Sequence, residues 1–365
     1  MTRPRFTQLV ESLPATVPFV APEALERNSG RPLRLRLGAN ESVFGVSPRA
    51  LQAMAEAAGR ISWYADPESL LLRERLAQLH QARLENICVG SGIDDLLGLA
   101  VRLFVDQGTS VVTSLGAYPT LDYHVAGYGG RIHRVPYHHD HNDLEALADT
   151  ARRVDARLVY LANPDNPTGT WIGDVSLSRF LEQLPANCLL ILDEAYIEFA
   201  PPADRLAVTG DDPRLIRMRT FSKAHGMAGA RIGYAIAVPE IISALDKVRL
   251  HFGVNLVAQA GALASLDDTG FLERVIAAVE EGRQDYYRLA LELGVPAIRS
   301  ATNFVAFDMG SEAEARSLLK LLLDRDVFVR VPGAQPLNRF VRITVGTPQQ
   351  RAELRQVLRQ LAEKK

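Results

Sequence analysis

Between about residues 85 and 238, short apolar, β-branched runs alternate with amphipathic stretches in which apolar positions recur every three or four residues. The runs fall at 87–89, 110–113, 131–135, 157–161, 188–192, 215–219 and 232–238. This alternation predicts a mostly parallel sheet covered by helices on both faces. Several runs, Leu189-Leu190-Ile191-Leu192 among them, are apolar throughout, as strands buried on both sides require. The ends of such strands are where chemistry is expected.

After Pro239 the pattern changes. Long helical periodicity, clearest over 271–293, is followed by β-type pieces at 303–308, 327–331 and 340–344, and by a final helix from 348 onward. The chain is therefore read as an α/β protein: a large domain over 36–250 and a smaller α+β domain over 251–365. An N-terminal segment, 1–35, is expected to pack with the small domain.

A chain of 365 residues has ample length for a large core plus a second domain. Its 41 basic and 43 acidic residues give a formal charge of −2, so nothing points to nucleic acid or an anionic membrane, and small polar metabolites are the natural ligands. Cys88 and Cys188 sit in apolar runs without metal-type spacing, which fits a reducing cytoplasm. The first 14 residues lack the apolar core of an export signal, and no apolar stretch reaches the roughly 18 residues of a spanning helix.

Four polar features follow one another at predicted strand ends and loops. They are Asn163-Pro164-Asp165-Asn166-Pro167-Thr168-Gly169, then Asp193-Glu194-Ala195-Tyr196, then Lys223, then Arg231. Each alone has an ordinary reading as a turn, a helix cap or a surface charge. Upstream, Gly90-Ser91-Gly92-Ile93-Asp94 is a Gly-rich turn opening an amphipathic helix, a place where unpaired N–H groups can meet an anion. The run Tyr137-His138-His139-Asp140-His141-Asn142-Asp143 has no helical i, i+4 register and no cysteine partner, so it is read as a surface loop and no metal is expected.

Taken together, NPDNPTG, the DEAY turn and the loop from Ser222 to Tyr234 resemble the fold-type I aminotransferases that use pyridoxal 5′-phosphate (PLP), over nearly the whole chain. Within that superfamily the chain is most similar to the histidinol-phosphate aminotransferases, through DEAYIEF at 193–199, the TFSKAHGMAGARIGY loop at 220–234 and VRITVGT at 341–347. The resemblance implies a PLP-dependent transferase fold of type I and PLP attached covalently to Lys223. A lysine amine with a lowered pKa is the group such chemistry needs, and a carboxylate, Asp193, must hold the ring nitrogen protonated. Asn166 and Tyr196 are implied as partners of the ring oxygen, and Tyr118 as a ring stacked on the cofactor face. Arg231, Thr220, Ser222, Gly92, Ile93 and Asp94 are implied at its phosphate, joined by Tyr64 from a neighbouring subunit, so a homodimer with a shared active site is expected.

For substrate, the resemblance implies Arg342, Arg330, Asn40 and Asn166. The implied reaction is L-histidinol phosphate plus 2-oxoglutarate to imidazole-acetol phosphate and L-glutamate. Three departures leave the amino donor open. Asn40-Glu41-Ser42-Val43-Phe44-Gly45 stands where relatives carry NENP followed by an aromatic residue and Gly, Phe19 stands where many carry Tyr, and Ala65 follows Tyr64 in place of Pro. The alternatives are an aromatic or other amino-acid aminotransferase on the same scaffold, and a PLP decarboxylase or lyase of a phosphorylated amino acid. A PLP-sensing regulator would need an added DNA-binding domain, of which the sequence carries no helix-turn-helix pattern. Arg342, Phe19 and the 40–45 segment, which is read as lining the site, are expected not to touch the lysine's own motif, so that motif leaves the substrate open.

Overall fold

The structure, a computed structural model, describes residues 4–14, 20–207 and 210–363. Its strands are β1 (Leu35–Arg36), β2 (Ile87–Gly90), β3 (Ser110–Ser114), β4 (Arg131–Val135), β5 (Leu158–Ala162), β6 (Leu189–Asp193), β7 (Leu215–Thr220), β8 (Gly233–Ile236), β9 (Phe304–Asp308), β10 (Val327–Phe328) and β11 (Phe340–Thr344). Among the described residues the main sheet has seven strands in the order β2-β8-β7-β6-β5-β3-β4. All pairs are parallel except those of β8, which runs antiparallel to both β7 and β2.

The two faces of β5 and β6 divide cleanly. Leu158, Tyr160, Ala162, Leu189 and Ile191 pack with the helix Ile93–Phe104, whereas Val159, Leu161, Leu190 and Leu192 pack with the helices Leu144–Arg153 and Asp174–Gln183. This period-2 division is why these strands read as apolar without alternation. Asp193, two residues beyond Ile191, continues the first face and ends β6 buried among apolar groups.

The C-terminal core is built from β9 paired with β11, the helix Thr269–Glu292 and the helix Pro348–Ala362. Here β1 joins from the N-terminal side, parallel to β10, and Leu35 and Leu37 enter the same apolar cluster. Past residue 250 the chain stays in contact with the sheet body. The helix Leu256–Leu266 packs on the helix Pro48–Ala58, and its Ala258, Ala262 and Leu266 share a cluster with Val89, Phe221 and Ile232 of the sheet body. Burial of that helix's apolar side on the large body, and not chain order, decides where it belongs. The piece expected at 327–331 is strand only at Val327–Phe328, after which Arg330 makes an isolated bridge to Arg342. No helix among the described residues is long and apolar enough to cross a membrane.

Candidate active site

Lys223 lies on the loop after β7, and its Nζ donates to the backbone oxygen of Asn40 at 3.2 Å. Asn40 itself is buried, held at φ 55°, and its Nδ2 donates to the Tyr196 hydroxyl at 2.9 Å. Thr344, at the end of β11, brackets the same residue: its hydroxyl accepts from the Asn40 N–H at 3.1 Å and donates to Asn40 Oδ1 at 3.2 Å. Asn303 Nδ2 adds a second donor to the Asn40 carbonyl at 3.0 Å. One asparagine thus joins the lysine loop, the DEAY turn and the C-terminal sheet.

A close backbone approach reinforces that junction. A Cβ at Gly226, which sits at φ +72°, would fall 1.9 Å from the Gly45 carbonyl oxygen. The expected separation of the lysine motif from the 40–45 segment is therefore wrong: the two are in direct contact, because only tertiary packing brings residues some 180 positions apart together. Phe19, the other expected recognition position, lies outside the described residues.

Asp193 accepts from the Tyr160 hydroxyl at 2.7 Å through Oδ2 and from the Ala195 N–H at 3.0 Å through Oδ1. Burial raises its carboxyl to about 6, and the hydrogen bonds and the nearby Lys223 oppose that rise. Asn166, on the loop after β5, accepts from Arg342 Nη1. Arg342 also donates from Nη2 to the Gly38 carbonyl at 3.1 Å, lies 5.1 Å from the Phe304 ring centre, and keeps a buried Nε without a partner. Burial, with Arg330 close by, lowers its guanidinium to about 10. Arg330 is half-buried, and its backbone pairs with that of Arg342 at 3.1 and 2.7 Å.

At the opposite end, Gly92 is the N-cap of the helix Ile93–Phe104 and supplies no side chain to the first-turn N–H groups. It stands at φ +91°, and a Cβ there would lie 2.6 Å from Arg231 Nη2. Arg231 also reaches Asp94 at 3.3 Å. The Thr220 and Ser222 hydroxyls bond each other at 2.9 Å in the same loop. Tyr118 is partly buried near Asp94, and burial moves its phenol upward. Tyr64 is different: it is 81% exposed, its ring centre 4.6 Å from that of Phe252.

Several residues given no role from sequence hold this arrangement. Glu194 accepts from Arg217 at 2.6 and 3.0 Å and from Arg219 at 2.9 Å, all with little or no exposure. Two arginines two positions apart in an otherwise apolar strand, after an Asp-Glu pair, were the available signal. Asp165 accepts from Tyr137 at 3.0 Å, Asn142 at 3.2 Å and Thr168 at 2.7 Å, which pins the loop carrying Asn166. The histidine-rich run is thus a tight hairpin, His138 bridged to His141, whose ends anchor Asp165 while Asp140 pairs with Arg339 at 2.7 Å.

Residues 34–358 match the family Aminotransferase class I and II. The histidinol-phosphate aminotransferase of Moorella thermoacetica is 34% identical over 364 residues, covering 99% of this chain and 94% of that protein. The enzyme of the same name from Symbiobacterium thermophilum is 36% identical over 335 residues, covering 92% of each. Among solved structures, the histidinol-phosphate aminotransferase from Sinorhizobium meliloti in complex with pyridoxal-5′-phosphate is 46% identical, with a TM-score of 0.94 and 99% of both chains covered.

Proposed function

The chain belongs to the class I and II aminotransferases, and from that premise we propose that it is a PLP-dependent transaminase exchanging an amino group between L-histidinol phosphate and 2-oxoglutarate. The observation that carries the substrate side is Arg342: a part-buried cation beside Asn166, whose buried Nε–H has no partner, is a site built for an anion. The residues present also fit the cofactor. An uncapped helix start, a glycine whose side chain would collide with Arg231, and the paired hydroxyls of Thr220 and Ser222 form a phosphate cradle. A buried carboxylate, Asp193, and a part-buried lysine, Lys223, complete the set at the strand ends.

When bound, PLP supplies an electron sink conjugated to the substrate amine. The chain does the rest. Lys223 would hold the cofactor and its Nζ would move the proton at the substrate's Cα, with the Asn40 carbonyl orienting that amine. Asp193 keeps a negative charge at the base of the site, where a protonated ring nitrogen requires one. Asn166 and Tyr196 would supply hydrogen bonds to the ring oxygen, and Tyr118 would cover the ring face. Gly92, Ile93, Asp94, Thr220, Ser222 and Arg231 would hold the phosphate. Arg342, with Arg330 and Asn40, holds the anionic end of either substrate and fixes the Cα–H bond for transfer.

The working unit is read as a cytoplasmic homodimer in which Tyr64 reaches the partner's cofactor phosphate. Its exposure fits that reading, as does that of its neighbours Trp63, Leu250 and Phe252. Mixing Lys223→Ala with Tyr64→Ala subunits tests it: hybrid dimers with one intact site recover activity that neither variant has alone.

The reaction is tested by loading the protein with PLP and screening histidinol phosphate, aromatic amino acids, glutamate and threonine phosphate as donors. Conversion of histidinol phosphate with glutamate formation, lost in Lys223→Ala, is the expected result. Conversion of aromatic amino acids but not histidinol phosphate, or release of carbon dioxide from the donor, would overturn the substrate reading.

A further inference from the structure

Tyr160 occupies the middle of β5, fully buried among apolar side chains. Phenylalanine would meet every packing demand of such a place, so the hydroxyl needs its own explanation, since a buried hydroxyl is retained only with a partner. Its partner is Asp193 Oδ2, at 2.7 Å. Strand register makes the pairing specific. Ala162 stands beside Asp193 across the β5–β6 ladder, and Tyr160 stands beside Ile191, so Tyr160 and Asp193 share one sheet face with only a methyl group next to the carboxylate. The Ala195 N–H occupies Oδ1, so the carboxylate is held from two directions.

We propose that Tyr160 is a positioning residue: its hydroxyl keeps the Asp193 carboxylate ionised and in one orientation, and thereby sets how far down the pH scale the protein retains its cofactor. The inference rests on the functional reading above and names a residue that acts only through Asp193. The other titratable groups facing the pair are Lys223 and Asp94 toward Asp193, and Tyr118 and Asp165 toward Tyr160. Of these Lys223 favours the ionised carboxylate and Asp94 opposes it. Donation from a neutral phenol to the ionised form lowers a carboxyl's pKa, so its removal must raise it. The loss is therefore largest at the acid end.

The test uses Tyr160→Phe, which keeps the ring and the packing. Cofactor is removed from wild type and variant, and PLP is titrated back by absorbance at pH 6 and pH 8, with circular dichroism to check the fold. The dissociation constant is expected to rise by a factor of about 10 to 150 at pH 6, the range for one lost hydrogen bond to a charged group, and by less at pH 8. The acid limb of the kcat profile moves upward in step. Site-specific replacement of Tyr160 by 3-fluorotyrosine, a stronger donor of nearly the same shape, moves that limb downward and decides the matter if Tyr160→Phe does not fold. Equal PLP affinity in variant and wild type at both pH values, an equal loss at both, or an unmoved acid limb in the fluorotyrosine protein overturns the inference alone. A wild-type protein that takes up no PLP overturns the functional reading and this inference with it.

Discussion

Glu194→Gln removes one buried charge and nearly nothing else, and its cost can be worked out in two ways. Geometrically, Glu194 is 2% exposed and joined by three charge-assisted hydrogen bonds to Arg217 and Arg219. Removing one partner of such a cluster leaves cations buried without compensation, which costs about 3–5 kcal/mol. By linkage, burial alone would raise the Glu194 carboxyl, but Arg219 and Arg217 outweigh it and bring it down from 4.5 to about 2. That difference corresponds to roughly 3 kcal/mol above the unfolded-state pKa. The two routes agree. Arg217 keeps the Leu206 and Ala207 carbonyls at 3.0 and 2.7 Å, so the damage concentrates on Arg219.

The assay is urea denaturation of the cofactor-free protein at one fixed protein concentration, comparing wild type, Glu194→Gln and Glu312→Gln. Glu312 pairs with Arg316 on the surface and accepts from Asn338 Nδ2 at 2.7 Å, a bond the glutamine oxygen can keep, so loss of its charge should change stability by about 1 kcal/mol or less. The sign with pH is also set. A carboxyl whose folded pKa is depressed contributes stability that is complete above its unfolded pKa and vanishes as pH falls through the folded one. The gap between Glu194→Gln and wild type should therefore be full at pH 7 and shrink steadily below pH 4.5 toward 2. A Glu194→Gln protein as stable as Glu312→Gln at pH 7 would refute the reasoning.

Three other outcomes follow from the site. Arg342→Ala should raise the KM for the anionic substrate by a factor of about 10 to 150, the equivalent of about 1.5–3 kcal/mol, measured by steady-state kinetics with each substrate varied in turn. Gly92→Ala places a Cβ 2.6 Å from Arg231 Nη2 at φ +91°, so PLP titration should show weakened binding while the fold, checked by circular dichroism, persists. In Asp193→Asn the cofactor-free protein should become more stable at pH 8, by up to about 3 kcal/mol, because burial raises the native carboxyl from 3.8 to about 6 and ionising it opposes folding. That gain should fade as pH falls toward 4, seen in thermal melts, and PLP affinity should drop.

By itself the sequence determined the elements and the order of the chemistry-bearing turns along the chain. Apolar runs with period-2 burial and helices with periodic apolar faces are local consequences of which residues must leave water, so the strands from β2 to β7 were legible within a residue or two. Lys223, Asp193 and Arg231 each had an ordinary reading alone and stood out only through the joint resemblance of NPDNPTG, the DEAY turn and the lysine loop to the aminotransferases. What only the tertiary structure decided is which distant residues share one place. Asn40 as the junction of Lys223, Tyr196 and Thr344 depends on contacts between segments up to 304 positions apart. Tyr160 beneath Asp193 and the Glu194 pairs with Arg217 and Arg219 depend on strand register. The attachment of the helix Leu256–Leu266 to the large body depends on which apolar face it meets. Periodicity records only that a side chain is buried; register and packing choose its partner, and for a buried charge the partner sets its ionisation.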